Sequence, residues 1–269
     1  VSRIGASALS VVLAGILALA AHTGVMLLVA AVVVVVQVML ASAPAPADSR
    51  GRAVPTPRFA VALTAGVVST VVAVRPSVLL GADGSRAGNE GLVTNGVLAG
   101  VLPGVAAGLF VALLSQMLRK DGRRELVVST GYATSLAMFA ALVSSWVGAA
   151  RAAAGQDVVT ISCVALGAAL LVWPLPIDRY VSAALAVTVG SGAGAVAALV
   201  VDGLPTWFFG VAVGAGIALF GVLGQVLGRA WAQGRSHVTS AGWGFPAAMA
   251  IALAGPIAYL GGQLVTASF

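Results

Sequence analysis

The sequence predicts an all-α fold: a polytopic transmembrane helical bundle of about nine spans, with the N-terminus cytoplasmic and the C-terminus outside. Three observations carry this reading. Of 269 residues, 60% are hydrophobic and only 8% are charged, where a soluble domain would carry about 25% charge. Mean hydropathy is +1.07. The apolar residues fall in runs near the ~20 residues a helix needs to cross a bilayer. A lone cysteine, Cys163, excludes a disulfide scaffold.

Nine runs follow in order: Ile4–Ala21, Val25–Ala41, Phe59–Leu80, Asn95–Leu118, Leu126–Ala150, Val158–Trp173, Tyr180–Val201, Thr206–Gly228 and Phe245–Val265. In lipid the backbone must satisfy itself, so these runs are helices. A membrane barrel would alternate in polarity, and Val32–Val36 does the opposite. The first run has the form of a signal peptide, with Arg3 ahead of it and Ala18-Leu19-Ala20 as a small-residue site. Val25 opens a second run almost at once, so the expectation is a retained hairpin through His22-Thr23-Gly24. The third run is strongly apolar only to Val74, and Pro76 is placed to kink or end it.

The connections are short. Residues 42–58 form a Pro/Ala-rich cytoplasmic linker, expected to be extended and polar at its end, and Gly81–Ser85 is turn chemistry. The chain is therefore one membrane domain, without an internal repeat. Alternate connections differ in basic charge. Arg3, Arg50, Arg52, Arg58, Arg119, Lys120, Arg123, Arg124, Arg179, Arg229 and Arg235 lie on one side, and Arg75, Arg86 and Arg151 on the other. The positive-inside rule makes the first side cytoplasmic. A net charge of +6 then points to anionic lipid headgroups rather than nucleic acid, because the cations sit between apolar runs and do not interleave with aromatics.

The helices carry many of the 34 glycines. Gly100/Gly104/Gly108, Gly190/Gly194, Gly210/Gly214 and Gly224/Gly228 are small-xxx-small patterns, which let helices approach closely. Packing within the bundle is the first reading, and a homodimer or a membrane partner subunit the second. Pro103 suits a kink, and Pro205 and Pro246 suit N-terminal turns.

Ionisable residues map to predicted helix ends. Inside the helices the polar groups are uncharged: Gln37, Ser115, Gln116, Ser144, Ser162, Cys163 and Gln225. Neither a proton relay nor a metal-ligand cluster is legible, and His22 and His237 fall on opposite faces and cannot share a metal. Gln37 reads as an interhelical hydrogen bond and Cys163 as a small buried hydrophobe. Nucleotide-binding loops and hydrolase motifs are lacking. The candidate ligand groups lie on the cytoplasmic face: Arg119–Arg124, then Asp178-Arg179 after Trp173-Pro174-Leu175-Pro176, then Arg229, Arg235 and His237. The arginines suit a phosphate or headgroup, and Asp178 is the one weak catalytic candidate.

The C-terminal half, from the basic loop Arg119–Arg124 to Val265, resembles the bacterial phosphatidate cytidylyltransferases, which join CTP and phosphatidic acid into CDP-diacylglycerol. The resemblance rests on the helix-and-loop order, on Gly221-Val222-Leu223-Gly224-Gln225-Val226-Leu227-Gly228-Arg229 and on the loop Ala241-Gly242-Trp243-Gly244-Phe245. It implies nine spans, a cytoplasmic site and Mg²⁺ as cofactor. Gly221 and Leu223 match the signature, and Arg229 keeps the charge of its lysine. Val222 and Gln225 stand where its acids belong, Trp243 where its histidine belongs, and its terminal Asp-Arg has no counterpart. Mg²⁺ needs carboxylate oxygens to bridge phosphates. The expectation is therefore a scaffold without the chemistry: a non-catalytic multi-pass protein that binds lipid or a partner subunit. A lipid-phosphate enzyme and a permease for a neutral solute are the alternatives. The Ala/Val/Gly/Arg-rich composition, with Lys120 the one lysine, suits a high-GC bacterium and its inner membrane.

Overall fold

The computed structural model describes residues 3–46, 53–75, 97–119, 125–152, 154–201, 206–232 and 241–268, with side chains left out at 97–99, 241–243 and 266–268. Every regular element among them is an α-helix: α1 Arg3–His22, α2 Met26–Ala41, α3 Arg58–Val74, α4 Val97–Met117, α5 Leu126–Leu142, α6 Ser145–Ala150, α7 Gly155–Val172, α8 Arg179–Val200, α9 Trp207–Ala232 and α10 Ala241–Ser268. Seven stretches are long and apolar enough to cross a membrane: α1, Gly100–Met117 of α4, Leu126–Ala150, α7, α8, α9 and Gly244–Val265 of α10. Two shorter apolar helices, α2 and α3, accompany them.

The outer surface is apolar. Leu19, Leu27, Phe110, Val127, Leu199 and Val200 all stand exposed, an arrangement that lipid favours and water does not. Trp207 and Phe208 are exposed and stack with ring centroids 3.7 Å apart at the start of α9. The Trp207 ring is amphipathic, a kind enriched at membrane interfaces.

Contacts at helix ends sort the bundle into two faces. Arg229 reaches the carbonyl of Arg3, and Tyr132 reaches that of Pro44. At the opposite end Arg151 donates to the carbonyls of Ala73 and Val74, which caps the C-terminus of α3 with a cation. Gly24, whose φ of +70° suits glycine, sits beside Gln156 at that same end. Arg3, Arg58, Arg119, Arg179 and Arg229 thus share one end, hereafter the basic end, and Arg75 and Arg151 the other.

Several boundaries differ from the sequence expectation. The third helix ends at Val74, with Arg75 extended at φ −134°, as a residue before proline prefers. The run Leu126–Ala150 is two helices, because the chain tightens at Val143–Ser144, where the Ser144 hydroxyl donates to the Ala141 carbonyl at 2.7 Å. Helix α9 continues to Ala232, so Arg229 lies within it. Pro103, Pro246 and Pro256 all sit inside helices. The buried Trp146 indole donates to the Ile251 carbonyl of α10 at 2.9 Å, which gives its N–H the partner a buried indole needs.

The described ends of the 42–58 linker lie on the bundle, and Ala43 and Val54 are buried. Its carbonyls accept hydrogen bonds: Tyr132 Oη donates to Pro44, Ser129 Oγ to Pro55 at 3.1 Å, and the Val54 amide to Pro46 at 2.7 Å. Next to it Trp231 stacks on Tyr132 at 5.0 Å and meets Phe139 and Phe245. This aromatic cluster ties α5, α9 and α10 together at the basic end.

Candidate headgroup site at the basic end

The site is built where side chains of α9 reach α1. Ser7 and Ser10 lie one turn apart on α1, facing Gln225 of α9, and all three are buried. Ser7 Oγ donates to Gln225 Oε1 at 3.1 Å, and Gln225 Nε2 donates to Ser10 Oγ at 3.0 Å. The Ser10 hydroxyl in turn donates to the Ala6 carbonyl at 2.9 Å. A buried amide needs these partners, because an unpaired one in hydrocarbon is costly.

One turn further along α9 stands Arg229. Its Nη2 donates to Gln225 Oε1 at 3.3 Å and to the Arg3 carbonyl at 3.4 Å. Both bonds are longer than the usual 2.7–3.2 Å. Its Nε is buried and has no partner. The Arg3 guanidinium lies 5.8 Å from the centre of the Trp173 ring, within cation–π range. The indole Nε1 of Trp173 is likewise buried and unpartnered. Among the described residues neither guanidinium meets a carboxylate. A half-buried guanidinium with a vacant donor calls for an acceptor of opposite charge.

The other candidates fall as follows. Asp178 is the N-cap of α8: its Oδ1 accepts from the amides of Tyr180 at 2.9 Å and Val181 at 3.3 Å. That is a helix-capping role. Arg179 is turned to its neighbour, donating to Tyr180 Oη at 2.8 Å with its guanidinium 4.7 Å from the ring centre. Arg235 and His237 lie outside the described residues. The structure therefore brings Arg229 together with Arg3, Ser7 and Ser10, which sequence reasoning did not group with it. The available signal was the Ser7/Ser10 spacing on the first helix.

All nine glycines of the small-residue patterns face neighbouring helices of the same chain. Gly190 and Gly194 of α8 interlock with Gly214 and Gly210 of α9, and Gly224 and Gly228 lie against Met249 and Pro246 of α10. Gly104 rests on the Ala65 carbonyl of α3, with Gly100 and Gly108 on either side of it. Gln37 is fully buried, donating to Thr70 Oγ1 at 2.8 Å and to the Ala140 carbonyl at 3.2 Å, and its side chain fills the space over Gly66. Cys163 is buried on α7.

In comparisons with protein-family models, curated proteins and solved structures, nothing matches this chain.

Proposed function

We propose that this chain is a non-catalytic, nine-span protein of a bacterial cytoplasmic membrane, and that Arg3 and Arg229 bind the phosphate of an anionic lipid. The observation that carries the reading is the buried, unpartnered Nε of Arg229, whose Nη2 reaches the backbone of a second arginine, Arg3. A phosphate oxygen supplies both the acceptor and the countercharge. The Trp173 indole offers a further donor at the same place.

The count of nine adds α2 and α3 to the seven long stretches. With 16 and 17 residues they reach about 24–26 Å at 1.5 Å per residue, short of a ~30 Å core by an amount that bilayers accommodate. Helix α2 follows the turn at Gly24, beside Gln156, and leads at its other end to Pro44, beside Tyr132. It thus runs the full depth of the bundle. The basic end faces the cytoplasm by the charge rule, where anionic headgroups gather.

Native mass spectrometry of the protein released in mild detergent tests this. Bound phospholipid is expected on the wild-type chain, with occupancy falling about fivefold in Arg229→Gln and again in Arg3→Gln, near 1 kcal/mol per cation. Equal phospholipid on all three proteins overturns the site. A retained second polypeptide instead makes the chain a subunit.

A further inference from the structure

A cleft opens on the outer surface between α4 and α5, about 930 Å³ in volume. Leu113 and Met117 line it from α4, and Leu126, Val127 and Gly131 from α5. The position of Gly131 matters here: a Cβ added to it would meet nothing within 4 Å, unlike every glycine in the packed seams. Thr130, Thr134 and Ser135 add hydroxyls to the α5 wall; that of Ser135 is turned back to the Gly131 carbonyl at 2.9 Å, and the cleft surface is mostly apolar.

The cleft has a polar end. Gln116 lines it, is buried, and donates from Nε2 to Ser129 Oγ at 2.6 Å. Its Oε1 accepts from Arg119 Nη1 at 2.8 Å. That bond ties the Arg119 guanidinium to the rim. An apolar trough with a cation fixed at its basic end matches an amphiphile with a negative head.

We propose that the α4–α5 cleft holds one acyl chain of an anionic phospholipid, with the headgroup at Arg119. A partner helix fits less well. The small-residue face covers only Gly131 to Ser135, about one turn, before Met138 stands out into the lipid, whereas helix seams need small residues repeated over several turns. The proposal rests on the membrane reading above and is independent of the Arg3–Arg229 site.

The test is photo-crosslinking in phosphatidylcholine vesicles doped with phosphatidylglycerol that carries a diazirine in one acyl chain. Mapped crosslinks are expected to concentrate on the cleft residues of α4 and α5 over the lipid-facing Leu185, Val189 and Val196 of α8. A zwitterionic probe with the same diazirine should label the cleft less, and Arg119→Gln should lower the anionic preference about fivefold. Gly131→Trp places its side chain in open space, so it should narrow the cleft and lower that label while α8 labelling persists. Equal labelling of cleft and α8, equal labelling by the two probes, or a cleft crosslink to a second copy of the chain overturns the proposal. Arg229→Gln should leave cleft labelling intact. Absence of any label on α4, α5 and α8 alike would overturn the membrane reading and the proposal with it.

Discussion

The α8–α9 seam allows a sharp comparison between two glycines two residues apart. A Cβ added at Gly194 would sit 2.4 Å from the Gly210 carbonyl oxygen and 3.0 Å from Gly214 Cα. Ordinary contact is about 3.5–4.0 Å, so the backbones must separate by about 1 Å, and a gap of that size forfeits a quarter to a half of the dispersion energy along the seam. Overpacking of this kind costs about 1–3 kcal/mol. At Gly192 the same Cβ meets nothing within 4 Å, and alanine there gains up to about 1 kcal/mol of helix propensity. Gly194→Ala and Gly192→Ala should therefore differ by about 2 kcal/mol. Cys163 reports the difference directly. It is the one thiol in the chain, and it is buried on α7, which packs against both seam helices. With a thiol-reactive fluorophore in detergent, where labelling follows the open population, Gly194→Ala should label about 30-fold faster than Gly192→Ala, at 1.4 kcal/mol per tenfold. Equal rates would refute the close-packed seam.

Gln37→Leu removes an amide whose Oε1 has no partner and whose donors serve Thr70 and Ala140. The expected loss is about 0.6 kcal/mol, read as a small drop in Tm in detergent, and a loss above about 3 kcal/mol would show Gln37 doing more than joining helices. Tyr132→Phe keeps the stack on Trp231 and loses the bond to Pro44. It should cost about 1 kcal/mol, leave near-UV circular dichroism intact and speed proteolysis within residues 42–58. Asp178→Ala removes the cap of α8 at about 1 kcal/mol without changing phospholipid retention. Should the chain turn over CTP and phosphatidic acid, and Asp178→Ala abolish that turnover, the capping role would be incomplete and the non-catalytic reading would fail.

The helices were legible because lipid leaves an apolar run one regular option. The end of α3 was half legible: the apolar run reads on to Leu80, but Pro76 constrains Arg75 and marks a kink or a stop. The break at Val143–Ser144 was not. It holds neither glycine nor proline, and serine serves helix interiors and turns alike. The extension of α9 past Gly228 was hidden as well, because Arg229 reads as a terminus until its side chain is seen reaching the Arg3 carbonyl. The glycine patterns were readable as surfaces, but not the match of Gly190/Gly194 to Gly214/Gly210, which depends on how two helices are set against each other. The site was half legible. Arg229 and Gln225 stood out as polar groups in or beside an apolar run. Their partners Arg3, Ser7 and Ser10 lie more than two hundred residues away in the chain, and no local spacing records that pairing.

The linker on α5 has a consequence for how the molecule is assembled and how its sequence can drift. Tyr132 and Ser129 bind to backbone carbonyls of Pro44 and Pro55, and a carbonyl is present whichever side chain follows it. The segment between α2 and α3 can change its residues and keep the attachment, while Tyr132 and Ser129 cannot. The bonds also span 88 and 74 residues. Helices α2 and α3 are thus synthesised well before their anchor on α5 exists, and the attachment is complete only once α5 is in place.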